Sequence, residues 1–118
     1  MRVYLSGPMT GLPDFNYPNF NKVAERLRSL GYDVTNPAEN FGGRPDHPGG
    51  RSAYMRLDVG HVLDADAVAV LPGWKNSRGA RLEVAVALEL GLPVIDAETR
   101  EPIAPLTSQV SIWRANGH

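Results

Sequence analysis

Hydrophobic and polar positions follow two kinds of pattern along the 118 residues of this chain. Short apolar runs predict buried strands, and apolar positions three and four residues apart predict amphipathic helices. The predicted strands are residues 2–6, 32–35, 67–71 and a segment that begins with Pro93-Val94-Ile95. The predicted helices run from an Asn16 cap to a Gly31 stop, from about Arg51 to Leu63, and from a Ser77 cap to Glu89 or Leu90. Strands therefore alternate with helices.

This alternation predicts an α/β fold, a three-layer Rossmann-like or flavodoxin-like sandwich with a mainly parallel sheet of four or five strands. Ligands of such folds bind beyond the carboxyl ends of the strands. We therefore expect the loops after the first and third strands, residues 7–16 and 72–76, to line one cleft. Residues 1–96 form the predicted domain. Residues 97–118 are expected to be an extension that packs on this domain or on a neighbouring subunit.

Composition narrows the possible partners. The chain has 12 Lys and Arg against 13 Asp and Glu and a net charge of -1, so it lacks the basic footprint of a nucleic-acid binder. Its apolar runs are far shorter than the roughly 20 residues of a membrane-spanning helix, and its start leads directly into a strand. It has no cysteine. We expect no nucleic-acid polymer and no membrane as partner, and a cytoplasmic location.

The third predicted helix carries one acidic residue among small and apolar neighbours. Glu83 lies one turn after Gly79 and Ala80 and one turn before Val86 and Ala87. Burial raises the pKa of a carboxyl group, and such carboxyls are common among catalytic acids, bases and nucleophiles. The pattern indicates a functional Glu83, and a Glu83 that is salt-bridged at a helix interface is the equally open alternative.

The first turn of the same helix has the features of an anion site. Gly79 costs about 1 kcal/mol of helix stability relative to alanine and lies on the Glu83 side, so it leaves room for a ligand. Ser77, Arg78 and the free N–H groups of this turn favour a phosphate or carboxylate. An ordinary helix cap is the alternative role for Ser77.

Two further groups of side chains point to the same cleft. Asp58 shares a helix face with Tyr54 and His61, which gives a second carboxylate that can face the cleft, although spacing alone favours a surface position. At the end of the first strand, Ser6 is placed to hydrogen-bond into the cleft, and Gly7 allows close approach of a ligand. No glycine-rich dinucleotide or P-loop signature is present, and no ligands occur at metal-binding spacing, so we expect no metal.

Three motifs occur in order along the chain: Tyr4-Leu5-Ser6-Gly7-Pro8-Met9, Asp58 followed by the run from Asp64 to Val70, and Ser77-Arg78-Gly79 with Glu83. This ordered set resembles the nucleoside 2-deoxyribosyltransferase superfamily over residues 1–96. It is most similar to the short branch that holds the 2'-deoxynucleoside 5'-monophosphate N-glycosidases and small bacterial and phage relatives.

The resemblance implies cleavage of an N-glycosidic bond in a nucleoside or its 5'-monophosphate, without metal or cofactor. It implies Glu83 as nucleophile, Asp58 as the group that orients or protonates, and Tyr4 as an aromatic residue near the sugar. The implied substrate site comprises Ser6, Gly7, Pro8, Met9, Ser77, Arg78 and Gly79, with the 5'-phosphate at Ser77 and Gly79. Longer relatives complete the cleft from a neighbouring subunit, so we expect a homodimer or higher homo-oligomer.

Several alternatives stay open at this point. Water as acceptor would make the protein a hydrolase, and an incoming base would make it a transferase. A module that binds or senses a nucleotide in the same cleft, without catalysis, is the alternative function. A structural domain would instead pair Glu83 with Lys or Arg and have no cavity that reaches Gly79. Residues 36–50 match no motif and are expected to set base preference or to act as a lid.

Overall fold

The computed structural model describes residues 1–43 and 49–103. Its strands are β1 (Arg2–Ser6), β2 (Asp33–Thr35), β3 (Ala67–Val70) and β4 (Val94–Asp96), and its helices are α1 (Tyr17–Ser29), α2 (Gly50–Leu63) and α3 (Arg78–Glu89). Short 3-10 segments occupy Pro37–Gly43 and Trp74–Asn76. The predicted strands and helices are all present within a residue or two of their predicted bounds.

The four strands of the described residues form one parallel sheet in the order β2-β1-β3-β4. Val3 of β1 lies opposite Val34 of β2, and Leu5 of β1 lies opposite Ala69 of β3. This is the strand order of flavodoxin-like folds, in which the order reverses between the first and third strands. The predicted α/β fold class is confirmed.

Alternation along β1 divides the apolar side chains between two cores. On one face of the sheet, Val3 and Leu5 pack with Phe20, Ala24 and Leu27 of α1. On the other face, side chains of the central strands pack with α2 and α3; this second core contains Tyr4, Val62, Val68, Val70, Val84 and Ala87. Helices therefore cover both faces, and Tyr4 and Ser6 point towards α2 and α3 because strand side chains alternate.

The start of α1 differs from its predicted capping. Asn16 precedes α1 as expected, but its side chain makes no cap hydrogen bond, and its φ is +61°. Its Nδ2 instead donates to the carbonyl oxygen of Pro8 at 2.9 Å. Asp14 and Phe15 also have positive φ, so three consecutive residues form a left-handed turn before the helix. Asn16 thus anchors the loop after β1 rather than capping α1.

Beyond β4 the chain turns back on the sheet. Ile95 forms an antiparallel bridge with Pro102, and the Ile103 N–H donates to the Val94 carbonyl oxygen at 3.1 Å. The first part of the predicted extension therefore lies against the edge strand. The rest of it, residues 104–118, lies outside the described residues, and the boundary at residue 96 stays a prediction.

Candidate active site

A cavity of about 300 Å³ opens where β1 ends and α2 and α3 begin. Its volume is at the lower end of the range that small-ligand sites occupy. Lining residues come from β1, the loop after it, the starts of α1, α2 and α3, and Pro37. Among them are both predicted carboxylates and several aromatic side chains: Tyr4, Phe15, Tyr17, Phe20, Tyr54, Asp58 and Glu83. The cavity therefore lies at the carboxyl end of the sheet, as predicted.

Glu83 lines this cavity and is only 5% exposed. Tyr4 donates its hydroxyl hydrogen to Glu83 Oε2 at 3.0 Å, and Ser6 donates to Oε1 at 2.7 Å. Both donors come from β1, whose alternation places them two residues apart on one face. Within residues 1–43 and 49–103, the salt bridges join other residues, so hydrogen bonds to neutral hydroxyls hold the Glu83 carboxyl.

These surroundings raise the pKa of Glu83 to about 7. Burial is the main cause, because it penalises the charged form, and the negative charge of Asp58 acts in the same direction. The hydrogen bonds from Ser6 and Tyr4 oppose this, since they stabilise the carboxylate. Glu83 can therefore exist in both protonation states near neutral pH.

Asp58 is the second buried carboxyl at the cavity, with 7% exposure. Asn40 donates its Nδ2 hydrogen to Asp58 Oδ1 at 2.6 Å. Burial raises the pKa of Asp58 to about 6, while the Asn40 hydrogen bond and the charge of His61 limit the increase. The expectation of two carboxylates at one cleft holds, and the surface position considered for Asp58 does not.

Tyr4 is fully buried, lines the cavity and interacts with both acids. Burial and the charges of Glu83 and Asp58 raise the pKa of its hydroxyl well above the ordinary value. Its ring stacks against the ring of His61, with centroids 6.4 Å apart. Tyr4 therefore stays a neutral hydrogen-bond donor at physiological pH.

The other predicted substrate-binding residues divide into two groups. Gly7, Met9, Ser77 and Gly79 line the cavity. Ser6 is buried and contacts Glu83 without itself lining the cavity, and neither Pro8 nor the exposed Arg78 is among the lining residues. The structure thus places Gly7 and Met9 of the first motif, and Ser77 and Gly79 of the last, around one space.

The prediction that residues 72–76 line the cleft is wrong, because none of them borders the cavity. This loop instead packs towards the loop after β1: a Cβ built at Gly73 would lie 3.3 Å from Pro8 Cγ. The opposite wall comes from Pro37 and from the first turns of α2, including Gly50, Arg51 and Tyr54. The predicted role of residues 7–16 at the cleft is confirmed.

The start of α3 combines a helix cap with an open wall. Ser77 Oγ accepts a hydrogen bond from the Ala80 N–H at 3.2 Å, which confirms its predicted capping role. Gly79 lines the cavity and also faces α2, because a Cβ built there would lie 3.3 Å from Met55 Sδ. The structural-domain alternative required a cation pair at Glu83 and no cavity at Gly79, and neither condition is met among the described residues.

Several residues that line the cavity or contact its acids had no signal in the sequence. Asn40 lies in a segment whose only pattern is one of loop residues, and nothing local indicates that its side chain reaches Asp58. From the sequence alone, Arg51 fits equally well as an exposed polar residue, and Phe15 and Tyr17 fit equally well as packing residues. The hydrogen bonds of Tyr4 and Ser6 to Glu83 were partly foreseeable, because strand alternation and the helical position of Glu83 place all three at one interface.

The described part of the chain has neither a candidate metal-binding cluster nor a helix that could span a membrane. Residues 1–43 and 49–103 contain no group of three or more His, Cys, Asp or Glu side chains that could hold a metal ion. Their helices are also too short and too polar to cross a membrane.

Comparisons of the whole fold define its class. The structure matches a 2-deoxyribosyltransferase from the psychrotolerant bacterium Bacillus psychrosaccharolyticus with a TM-score of 0.64 and 23% identity, over 80% of this chain and 70% of that one. It also matches a conserved protein from Enterococcus faecalis V583, with a TM-score of 0.62 and 26% identity over 81% of this chain. A third match is the solution structure of BlsM, with a TM-score of 0.56 and 21% identity over 80% of this chain. The chain spans 62% of the length of each of the latter two.

The chain thus shares its fold with a protein named as a 2-deoxyribosyltransferase, and the predicted resemblance is confirmed at the level of the fold. The chain belongs to the family described as "Domain of unknown function (DUF4406)", whose model matches residues 1–96. No curated protein matches the chain.

Proposed function

We propose that this protein cleaves the N-glycosidic bond of nucleosides or deoxynucleosides, or of their 5'-monophosphates, with Glu83 as the nucleophile. The observation that carries the proposal is the pair of buried carboxyls, Glu83 and Asp58, at one cavity of ligand size. Neutral hydroxyls rather than cations hold Glu83. The match to a protein named as a 2-deoxyribosyltransferase supports the choice of bond.

In the first step, the ionised Glu83 attacks the anomeric carbon of the sugar while the bond from that carbon to the base nitrogen breaks. The electron pair of that bond leaves with the base, and Asp58 donates a proton to the departing base. This step uses the form of the pair in which Glu83 is ionised and Asp58 carries the proton. Because the pKa of Glu83 is the higher of the two, that form is the less populated of the two singly protonated forms. The sugar passes through an oxocarbenium-like state and becomes an ester of Glu83. Tyr4 and Ser6 hold the two oxygens of Glu83 in place during the attack.

In the second step, an acceptor breaks the ester bond and frees Glu83. Asp58, now ionised, takes a proton from the acceptor. Water as acceptor releases the free sugar, and a second base as acceptor gives a new nucleoside. Both outcomes use the same groups, so the acceptor that fits the cavity decides between hydrolase and transferase.

The start of α3 and Arg51 favour a 5'-monophosphate over an unphosphorylated nucleoside. Ser77 and Gly79 line the cavity at the end of α3 that carries the positive part of the helix dipole. Arg51 lines the same cavity from the first turn of α2, one turn before Met55, which packs on Gly79. A phosphate at this end would be attracted by the dipole of α3 and by Arg51, while the sugar would lie deeper, towards Glu83.

The test is release of free base from each deoxynucleoside and each deoxynucleoside 5'-monophosphate, measured by chromatography. We expect release by the wild type, loss of nearly all of it in Glu83→Ala, and a fall of about 10²-fold to 10⁴-fold in Asp58→Asn, the usual contribution of a proton donor. Trapping of a sugar ester on Glu83, detected by mass spectrometry, is expected when a slow substrate is used.

A matched control is Glu89→Ala, because Glu89 lies at the exposed end of the same helix. It should retain wild-type release. Equal and negligible release by the wild type and by Glu83→Ala, together with tight nucleotide binding, would contradict the proposal and support a binding module.

We also propose that the protein acts as a homodimer or higher homo-oligomer. Three leucines of α2, α3 and the turn after α3 are about half exposed: Leu63, Leu82 and Leu90. Burial of such side chains against a second copy would remove apolar surface from water. Light scattering coupled to size-exclusion chromatography gives the mass directly, and a monomer at micromolar concentration would contradict the proposal.

A further inference from the structure

A buried amide reaches the site from a segment that carries none of the predicted chemistry. Asn40 lies in the 3-10 segment Pro37–Gly43, after β2, and is only 7% exposed. Its Nδ2 lies 2.6 Å from Asp58 Oδ1, across 18 residues of sequence. The short distance is typical of a strong, charge-assisted hydrogen bond.

Asn36, one residue after β2, offers a contrast within the same part of the chain. Its Oδ1 accepts from the Ala38 N–H at 3.0 Å, and its Nδ2 donates to Asn21 Oδ1 at 2.9 Å. Those bonds shape the turn and join it to α1, so they account for Asn36 in structural terms. The bond from Asn40 leaves the segment and ends on an acid at the cavity, which a purely local role would not require.

We propose that Asn40 is a positioning residue, whose amide holds Oδ1 of Asp58 and leaves Oδ2 as the oxygen that carries and delivers the proton. The inference rests on the proposed function, in which Asp58 protonates the leaving base. An amide N–H can donate but cannot accept, so a proton on Oδ1 would compete with the hydrogen bond. One oxygen of Asp58 is thereby reserved for structure and the other for chemistry.

Other polar groups also face Asp58 and must be considered in any titration. They are Glu83 from α3, Tyr4 from β1, His61 from α2 and Tyr17 from the start of α1. The Asn40 hydrogen bond stabilises the ionised form, so it opposes the effect of burial on the pKa of Asp58. Its removal should therefore act on Asp58 first and on Glu83 only through the charge of Asp58.

The experiment replaces the amide by an apolar side chain of similar size, Asn40→Leu, and titrates both acids by carbon-detected NMR of the carboxyl groups. We expect the pKa of Asp58 to rise by about one unit or more, the usual worth of a hydrogen bond to a charged group. The pKa of Glu83 should stay constant or fall, because a neutral Asp58 no longer repels its charge. A site that merely loosens and admits water would lower both pKa values, which would overturn the inference.

Asn36→Ala is the matched control, since it removes an amide from the same region and should lower the Tm without raising the pKa of Asp58. If Asn40→Leu does not fold, Asn40→Ala gives the same comparison. An unchanged pKa of Asp58 in a folded Asn40 variant would also overturn the inference. Base release at alkaline pH should rise with the pKa of Asp58, because a larger fraction of Asp58 then carries the proton. Absence of base release in the wild type would contradict the proposed function alone, because the NMR result does not depend on turnover.

Discussion

At the scale of single residues, the two hydrogen bonds to Glu83 differ in length and in strength. Ser6 Oγ lies 2.7 Å from Oε1, and Tyr4 Oη lies 3.0 Å from Oε2. The Ser6 bond is also the larger of the two in lowering the pKa of Glu83 against the effect of burial. A serine at the end of β1 therefore controls how much of Glu83, the proposed nucleophile, is ionised near pH 7.

Replacement of this serine, Ser6→Ala, should raise the pKa of Glu83 above its value of about 7. The proposed nucleophile must be ionised, and a rise of about one unit in its pKa leaves about a tenth as much ionised Glu83 at acid pH, so base release below pH 6 should fall about tenfold. Activity below pH 6 should fall more than activity at pH 8. Ser29→Ala removes an exposed hydroxyl that bonds to the Arg26 carbonyl oxygen and serves as control. An unchanged rate below pH 6, or an equal fall at pH 8, would contradict this account.

Single residues also mark the limit of what the sequence could predict about the site. Glu83 stood out because small and apolar residues surround it at helical spacing, and Asp58 because it shares a helix face with Tyr54 and His61. Both signals depend on contacts within one element. Asn40 contacts Asp58 across 18 positions, through a segment without periodicity, and such a contact follows only from the path of the chain.

At the scale of elements, the first turn of α3 contains a glycine that faces both the cavity and α2. A Cβ built at Gly79 would approach Met55 Sδ to 3.3 Å. The thioether is flexible and can give way, and alanine would favour the helix by up to about 1 kcal/mol. The contact with Met55 lowers the stability of the variant and the higher helix propensity of alanine raises it. The added methyl group takes up cavity volume in either case.

We therefore expect Gly79→Ala to change the Tm by only a few degrees and to raise KM about tenfold, the equivalent of about 1.4 kcal/mol of binding. Gly60→Ala is the control, because Gly60 lies within α2 and a Cβ there meets nothing within 4 Å. It should raise the Tm slightly and leave KM unchanged. Thermal unfolding and steady-state kinetics measure both quantities. An unchanged KM in Gly79→Ala would mean that the substrate does not approach this wall.

Elements with strong periodicity were predicted well, and the segments between them were not. The apolar run of β3 and the spacing in α1 and α3 identify these elements because each buries a continuous face. The left-handed turn at 14–16 has no such signal, since Asp14, Phe15 and Asn16 adopt positive φ in a loop whose end is anchored to Pro8 across eight residues. The direction of residues 72–76 depends likewise on the packing of Gly73 against Pro8.

At the scale of the whole molecule, the site costs stability. Folding buries two carboxyls that would be ionised in the unfolded chain at neutral pH, and the hydrogen bonds to them offset this penalty only in part. Helices on both faces of the sheet supply the apolar burial that makes such a site possible. The fold class could be predicted from the sequence because it follows from that apolar burial. The loss of stability at the site could not, because it depends on how close the chain brings Glu83 and Asp58.

This cost should appear as a stability that falls with rising pH. The pKa of Glu83 is 4.5 when unfolded and about 7 when folded, so between these values the folded state binds more protons than the unfolded state. The stability that protonated Glu83 contributes is fully present below pH 4.5 and is lost as the pH rises to about 7. The contribution of Asp58 is lost in the same way between pH 3.8 and about pH 6. Glu83→Gln, which is always neutral, should match the wild type below pH 4.5, where Glu83 is protonated in both states. At pH 8 it should be more stable by up to about 3 kcal/mol, at about 1.4 kcal/mol per unit.

Urea unfolding of the wild type and of Glu83→Gln at several pH values between 4 and 8 measures this difference directly. Glu25→Gln removes a carboxylate from the exposed side of α1 and is the matched control. A difference between the wild type and Glu83→Gln that does not change between pH 5 and pH 8 would mean that Glu83 is ionised throughout this range. Its pKa would then be ordinary, and protonation of Glu83 would not limit base release between pH 5 and pH 6. Stability and catalysis thus report on the same proton, and one series of buffers tests both.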